Sequence, residues 1–301
     1  MKIIVTGSLG HISKPLAEEL MKKGHSVTIV SSKPEKQKDI EALGAKAAIG
    51  SVEDVDFLTK TFTGEDAAYC MIPPNPGNFS NPDFDFVKHT QNIANNYKQA
   101  IQKSGVKRMV FLSSIGAHMA KGNGILAFYY IVEKMLSELP SGTAITFMRP
   151  VGFYYNLFAF MDTIKTQGVI ASNYGGDVKK PWVSPIDIAA AVAEEIVASQ
   201  PPSRKIRYVA SDEISCNEVA TVLGSAIGKP DLKWVVITDE QLLNGMVSSG
   251  MNPKIAAGFV EMNAITRTGV IYEDYYRHQP VLGKVKMSDF AKEFAGVYQG
   301  K

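Results

Sequence analysis

The chain is poor in cysteine: Cys70 and Cys216 are the only two among 301 residues. A disulfide scaffold is neither available nor needed at this length. Cys70 ends an apolar run, which suits a small buried thiol. Five histidines and two distant cysteines offer no metal-ligand spacing, so no metal is expected. No uninterrupted stretch of roughly 18 apolar residues exists, the length a membrane helix requires. No charged-then-apolar leader precedes the first apolar run. A cytoplasmic protein with no membrane partner is expected. An excess of one charge is also missing. Lysine and arginine number 32 against 30 acidic residues, a net charge of +2. The lysines are scattered, with Lys33, Lys36 and Lys38 the densest early group and Lys179 and Lys180 later. These suit solvated faces, and no nucleic-acid partner is expected. There is no internal repeat and no low-complexity tract.

What is present begins at once. Residues 1–5 are mostly apolar or β-branched and run through Thr6 into Gly7 and then Gly10, ahead of an apolar-periodic stretch ending at Leu20. That is a strand, a tight turn and a helix. Gly7 can take angles that a side chain resists. Gly10 leaves room where a diphosphate would approach. The helix start turns unpaired N–H groups toward the same place, an anion site built from Gly7, Ser8, Leu9, Gly10, His11 and Ile12. The third position of the fingerprint is Ser13 rather than glycine, so the helix packs around a small hydroxyl.

The alternation continues. A second strand falls at 25–30, a helix at 34–43 and a third strand at 45–49, the spacing of a βαβαβ unit. A fourth strand runs into the pair Pro73 and Pro74, where the chain must turn. A loop at 75–83 leads to a long helix over 84–104. The fifth strand is 106–114, followed by a loop to Gly124, a helix over 125–139 and a sixth strand at 143–149 stopped by Pro150. Beyond Pro150 the regularity fades. An aromatic stretch at 153–160 follows directly. Helices are expected at 185–198 with Ser184 as cap, from Ser215 to about Gly228, and at 238–249, 253–268 and 288–297. Strands are expected at 206–209 and 234–237. The expectation is an α/β fold: a doubly wound parallel sheet with a smaller, mostly helical C-terminal lobe. Residues 1–155 form the dinucleotide-binding domain, and 156–301 the substrate-binding lobe, with some segments returning to the main sheet.

A sheet of this kind chooses its dinucleotide at the end of the second strand, where a carboxylate favours NAD. Here Ser31, Ser32 and Lys33 stand there, and no carboxylate appears before Glu35. Hydroxyls and an ammonium can donate to a 2′-phosphate. NADP(H) is therefore preferred, with NAD(H) possible. Gly50 and Ser51 lie where an adenine edge would sit, and Asp54 suits a helix cap. Met71, Ile72 and Pro73 would flank the ribose and diphosphate, with Ser113 and Pro150 at neighbouring strand ends.

The fingerprint, the 50–54 segment, the 106–114 strand and Arg149-Pro150 arrive in one order. Together with Glu133, the run 149–156 and the run 182–188, they resemble the NmrA-like branch of atypical short-chain dehydrogenases/reductases. The resemblance implies a Rossmann-like fold. It also implies a function drawn from a mixed group: quinone reductases, triphenylmethane dye reductases, isoflavone-type reductases and non-catalytic cofactor sensors. In the family pattern the third glycine replaces Ser13, and a Gly-Asp pair replaces Gly50-Ser51.

Two registers are open for catalysis. Tyr130 and Lys134 have the Tyr-x-x-x-Lys spacing of catalytic short-chain dehydrogenases, where lysine lowers the phenol pKa for proton donation. Anchored instead on Glu133 and Arg149, the family's lysine position falls on Tyr129 and its tyrosine on Ile125, and the dyad is absent. Ser114, or Ser113 beside it, would stand near the nicotinamide, and His118 on the following loop is a candidate acid or base. Without an enforced acid, hydride delivery to a planar electron-poor acceptor such as a quinone fits. Phe128, Phe153, Tyr154 and Tyr155 would supply flat walls. The alternatives are a non-catalytic NADP-binding redox sensor with a protein partner, and an enzyme resembling sugar-nucleotide epimerases.

Overall fold

The computed structural model describes residues 1–73 and 76–300. Pro74 and Asn75, the end of the expected proline turn and the start of its loop, lie outside them. Seven strands form one parallel sheet. They are β1 (Lys2–Val5), β2 (Ser26–Ser31), β3 (Lys46–Ile49), β4 (Ala67–Met71), β5 (Arg108–Leu112), β6 (Ala144–Pro150) and, after three lobe strands, β10 (Arg204–Val209). Their order across the sheet is β10-β6-β5-β4-β1-β2-β3. The first pair is parallel, with Ile3 opposite Val27 and Val5 opposite Ile29.

Side-chain alternation builds the two cores. Ile3, Val5, Tyr69, Val110 and Met148 face one side, with α1 (Ser13–Lys22) and, later in the chain, α7 (Pro185–Val197). Ile4, Ala68, Cys70, Phe111 and Phe147 face the other, under α3 (Val55–Phe62), α4 (Phe86–Ser104) and α5 (Ala127–Ser137). The short α2 (Gln37–Ala42) follows a 3-10 turn at Pro34–Lys36. Local chemistry fixes several boundaries. The Asp54 carboxylate accepts from the N–H groups of Asp56 and Phe57 and starts α3. Ser184 caps α7, with Pro185 as its first residue.

The remaining elements make the lobe. β7 (Gly152–Phe153), β9 (Lys180–Val183) and β11 (Asp212–Ile214) form one small sheet, and β8 (Val169–Ser172) pairs with β12 (Lys233–Val236). Around them lie α6 (Met161–Gln167), α8 (Cys216–Ala226), α9 (Asp239–Ser248), α10 (Pro253–Thr268), α11 (Glu273–His278) and α12 (Met287–Tyr298). α8 opens with the capping box of Ser215 and Glu218. The lobe has its own core, in which Tyr154, Leu157, Trp182, Trp234 and Phe294 are buried. Residues 161–183 carry α6, β8 and β9, elements the sequence pattern did not mark. Among the described residues no helix is long and apolar enough to cross a membrane.

Candidate functional site: a nucleotide cleft at the carboxyl edge of the sheet

β1 delivers the chain into the fingerprint turn. Gly7 has φ of +94°, and a Cβ there would lie 2.5 Å from the Ser13 hydroxyl and 2.6 Å from the Met71 sulfur. Ser8 also takes a positive φ, +55°, and its N–H donates to the Val30 carbonyl at 3.0 Å. A Cβ on Gly10 would stand 3.0 Å from the Gly7 carbonyl. Ser13, in the third glycine's position, donates to the Thr6 carbonyl at 2.7 Å and is buried. The small hydroxyl thus ties helix to strand.

Helix α1 has no side-chain cap and no acidic residue in its first turn. Among the described residues the N–H groups of Leu9, His11 and Ile12 donate to no protein acceptor. A tight turn with no room for side chains, followed by free donors at the positive end of a helix, fits a dinucleotide diphosphate. The His11 ring lies against Tyr155, centroids 3.6 Å apart and tilted by 37°. Tyr155 thereby touches the cofactor loop itself, and Phe153 packs half-buried beside the main core.

At the end of β2 Ser31 is buried, and its hydroxyl accepts from Ser8 Oγ at 2.9 Å and from the Lys33 N–H at 3.2 Å, which braces the turn. Ser32 and Lys33 are exposed, and Lys33 pairs with no carboxylate among the described residues, whereas Lys36 is paired with Asp39 at 3.0 Å. Gly50 donates its N–H to the Ser31 carbonyl, and a Cβ on it would run into the Phe57 ring at 2.5 Å. The Ser51 hydroxyl accepts from the Glu53 N–H. Met71 is pinned on both sides: its N–H donates to Thr6 Oγ1 at 3.1 Å, and its carbonyl accepts from Tyr97 at 2.8 Å. Ile72 is buried and Pro73 half-buried beside it.

At the ends of β5 and β6 a polar network fills the floor. Arg149 donates Nε to Glu133 Oε1 at 2.9 Å and Nη2 to Oε2 at 2.6 Å. Its Nη1 reaches Tyr208 and Asp274, both at 3.1 Å, and Tyr208 donates to Asp274 at 2.6 Å. Ser113 donates to Glu133 at 2.5 Å. Ser113, expected beside the cofactor, has a buried hydroxyl that serves this network. Pro150 is buried, and its carbonyl accepts from the Ile115 N–H. Ser114 is half-buried, with no hydrogen-bond partner for its hydroxyl among the described residues. His118 is half-buried, and its Nδ1 is buried without a partner. Burial lowers its pKa, against a smaller opposing pull from the Asp274 carboxylate. It is neutral at neutral pH.

Two proposed walls are corrected as well. Tyr154 has no exposed surface, lies in the lobe core and donates to the Val285 carbonyl at 3.3 Å. Phe128 is buried between Phe86 and Tyr129. Tyr130 and Lys134 share one side of α5, with the ammonium 5.8 Å from the ring centroid and exposed. That is a cation over a ring face. The partners Tyr208 and Asp274 lay beyond reach of sequence reasoning, because only tertiary packing brings them to Arg149.

Known proteins share this architecture. The chain is 25% identical over 263 residues to the NAD(P)H azoreductase of Xenophilus azovorans, covering 87% of this chain and 86% of that protein. It is similar to the structure of a nucleoside-diphosphate-sugar epimerase from Staphylococcus aureus, with a TM-score of 0.76, 16% identity and coverage of 97% and 100%. A structure of an NADPH-dependent quinone oxidoreductase from Escherichia coli gives a TM-score of 0.75, 19% identity and coverage of 97% and 98%. These two structures speak to the fold alone. The family profile reaches across nearly the whole chain, over residues 1–284, and the protein belongs to the NmrA-like family.

Proposed function

We propose that this protein is an NAD(P)H-dependent reductase that passes hydride to a planar, electron-poor small molecule such as a quinone or an azo compound. The observation that carries the reading is the fingerprint turn with its free N–H donors at the start of α1. The azoreductase relative supports the reaction class. Leu9, His11 and Ile12 would hold the diphosphate through their N–H groups. Ser32 and Lys33 would meet the 2′-phosphate, so NADP(H) is preferred and NAD(H) is accepted. Bound there, the reduced nicotinamide supplies the hydride.

The chain's own part is positioning. Glu133 and Arg149 fix the ends of β5 and β6. Met71, held by Thr6 and Tyr97, fixes the end of β4. Ser114 offers a hydroxyl to an acceptor's carbonyl or azo nitrogen. Acceptors whose reduced forms protonate from water need no acid on the protein. Sugar-nucleotide epimerase chemistry would call for a proton-transfer group beside the hydride, and Tyr130 is the residue to test for it.

The test is a screen of cofactor oxidation at 340 nm with benzoquinones, naphthoquinones, azo dyes and triphenylmethane dyes. Saturable turnover with a quinone or azo compound is expected. Tight cofactor binding with no turnover across the panel would replace the reductase with a cofactor sensor.

A further inference from the structure

His11 is the least tethered residue of the fingerprint turn. Around it the turn is braced from the main sheet. Gly10 donates its N–H to the Gly7 carbonyl, Ser8 to the Val30 carbonyl, and the Ser13 hydroxyl to the Thr6 carbonyl. The carbonyls of Gly10 and Ile12 accept from the N–H groups of Lys14 and Leu16. The N–H that would reach the His11 carbonyl belongs to residue 15, and residue 15 is proline, which has none. The His11 N–H is one of the donors that meet no protein acceptor among the described residues. Neither backbone group of His11 is therefore held by a hydrogen bond.

What holds it is a ring from outside the turn. The imidazole lies 3.6 Å from Tyr155, centroid to centroid. His11 is exposed and Tyr155 half-buried, so the pair is a bridge and not a piece of either core. Behind Tyr155 the contact continues inward. Tyr155 meets Phe158 edge to face at 4.8 Å, and Phe158 stacks on Phe294 at 5.3 Å with planes 16° apart. Phe158 also meets Phe290 edge-on at 5.3 Å, and Phe290 stacks on Tyr154 at 5.5 Å. Phe294 and Tyr154 have no exposed surface, and Phe290 is 5% exposed. A chain of rings thus runs from the cofactor turn to the centre of the lobe core.

We infer that Tyr155 is a cofactor-positioning residue that acts through His11: by holding the imidazole it presets the residue-11 N–H for the cofactor diphosphate. The inference rests on the placement of the diphosphate at the fingerprint turn. A donor already fixed in the free protein loses less freedom when the ligand arrives, so the ring contact is read out as affinity. The coupling is reciprocal, since a bound diphosphate that fixes His11 also holds Tyr155 and the rings behind it. An aromatic contact contributes roughly 2- to 12-fold.

Calorimetric titration with NADP⁺ and with adenosine 2′-monophosphate, which lacks the diphosphate, tests this. Tyr155→Leu and His11→Gln should each weaken NADP⁺ about 5-fold and change adenosine 2′-monophosphate less than about 2-fold. The double variant should lose no more than about 5-fold, because both substitutions break one contact, whereas independent effects would multiply to about 25-fold. Tyr155→Phe, which keeps the ring, should bind NADP⁺ like the parent. His11 is exposed, so His11→Gln carries the test if Tyr155→Leu folds poorly. Equal losses for both ligands, no loss for NADP⁺, or a multiplied loss in the double variant overturns the positioning role and leaves the cofactor placement standing. No binding of NADP⁺ by the parent overturns that placement, and the inference with it.

Discussion

Glu133 and Arg149, sixteen residues apart, form a buried two-point ion pair that joins α5 to the end of β6. Their side chains are 10% and 5% exposed. Every remaining hydrogen-bond partner at the pair is inside the protein, with Ser113, Tyr208 and Asp274 completing it.

Truncating one partner leaves the other charge buried. Glu133→Ala should cost about 3–5 kcal/mol, the usual penalty for half of a buried pair. Glu133→Gln should cost less, since it can still accept from Ser113. Urea unfolding of the two variants measures this. A loss under about 1 kcal/mol for Glu133→Ala, the value of an exposed pair, would mean that water reaches the network.

Lys33 and Ser31 are neighbours in the β2 turn with different tasks. Lys33→Glu should weaken NADPH by about 10- to 100-fold, the equivalent of one lost charge-assisted hydrogen bond, and leave NADH nearly unchanged. Ser31→Ala should lower the affinity for both nucleotides alike, because the hydroxyl braces Ser8 and the Lys33 backbone. Titration of both variants with both nucleotides reads the difference. A selective NADPH loss in Ser31→Ala would reassign the phosphate contact.

Much of this arrangement was legible in the chain. The strand–helix alternation, the fingerprint and the caps at Asp54, Ser184 and Ser215 depend on neighbours close in sequence, so local pattern sufficed. β8, β9 and β11 lie beyond Pro150, where the strand–helix alternation that marked the equally short β1 and β3 has faded. At Ser31 and Ser113 the strand-end position is legible, but the hydroxyl's partners, Ser8 and Glu133, lie 20 or more residues away and are not. Tyr154 and Tyr155 separate because residues 154–160 form a 3-10 turn. Successive side chains there diverge by about 120°, so one enters the lobe core and the next meets His11.

Burial lowers the His118 pKa, which gives a pH signature. The unfolded chain takes up a proton at His118 near pH 6.5, whereas the folded protein does so only at lower pH. Stability should therefore fall as pH drops below about 6.5, and level off for this group below its folded pKa. His25 is lowered too, by burial and the nearby N-terminal amine, and it adds to the same slope. In His118→Gln the loss of stability between pH 7 and 5.5 should shrink but not vanish. Urea midpoints at three pH values measure it, and an unchanged slope would mean that the imidazole titrates alike in the folded and unfolded chain.

Tyr130 and Lys134 offer the sharpest test of the catalytic reading. A positioned acid–base group contributes about 10²- to 10⁴-fold to turnover. The structure sets the Lys134 ammonium over the Tyr130 ring face at 5.8 Å, exposed to solvent. The neighbouring Glu133 points into the buried network and fixes the rotation of α5. A dyad working on the cofactor would hold the ammonium beside the phenol hydroxyl, whereas here it lies over the ring face. Tyr130→Phe and Lys134→Ala should each lower kcat less than about 3-fold, far below the acid–base scale. Steady-state rates with a quinone acceptor at pH 6, 7 and 8 decide it. A drop of 10²-fold or more, with loss of a basic limb in the pH profile, would restore the dyad and require α5 to turn when cofactor binds.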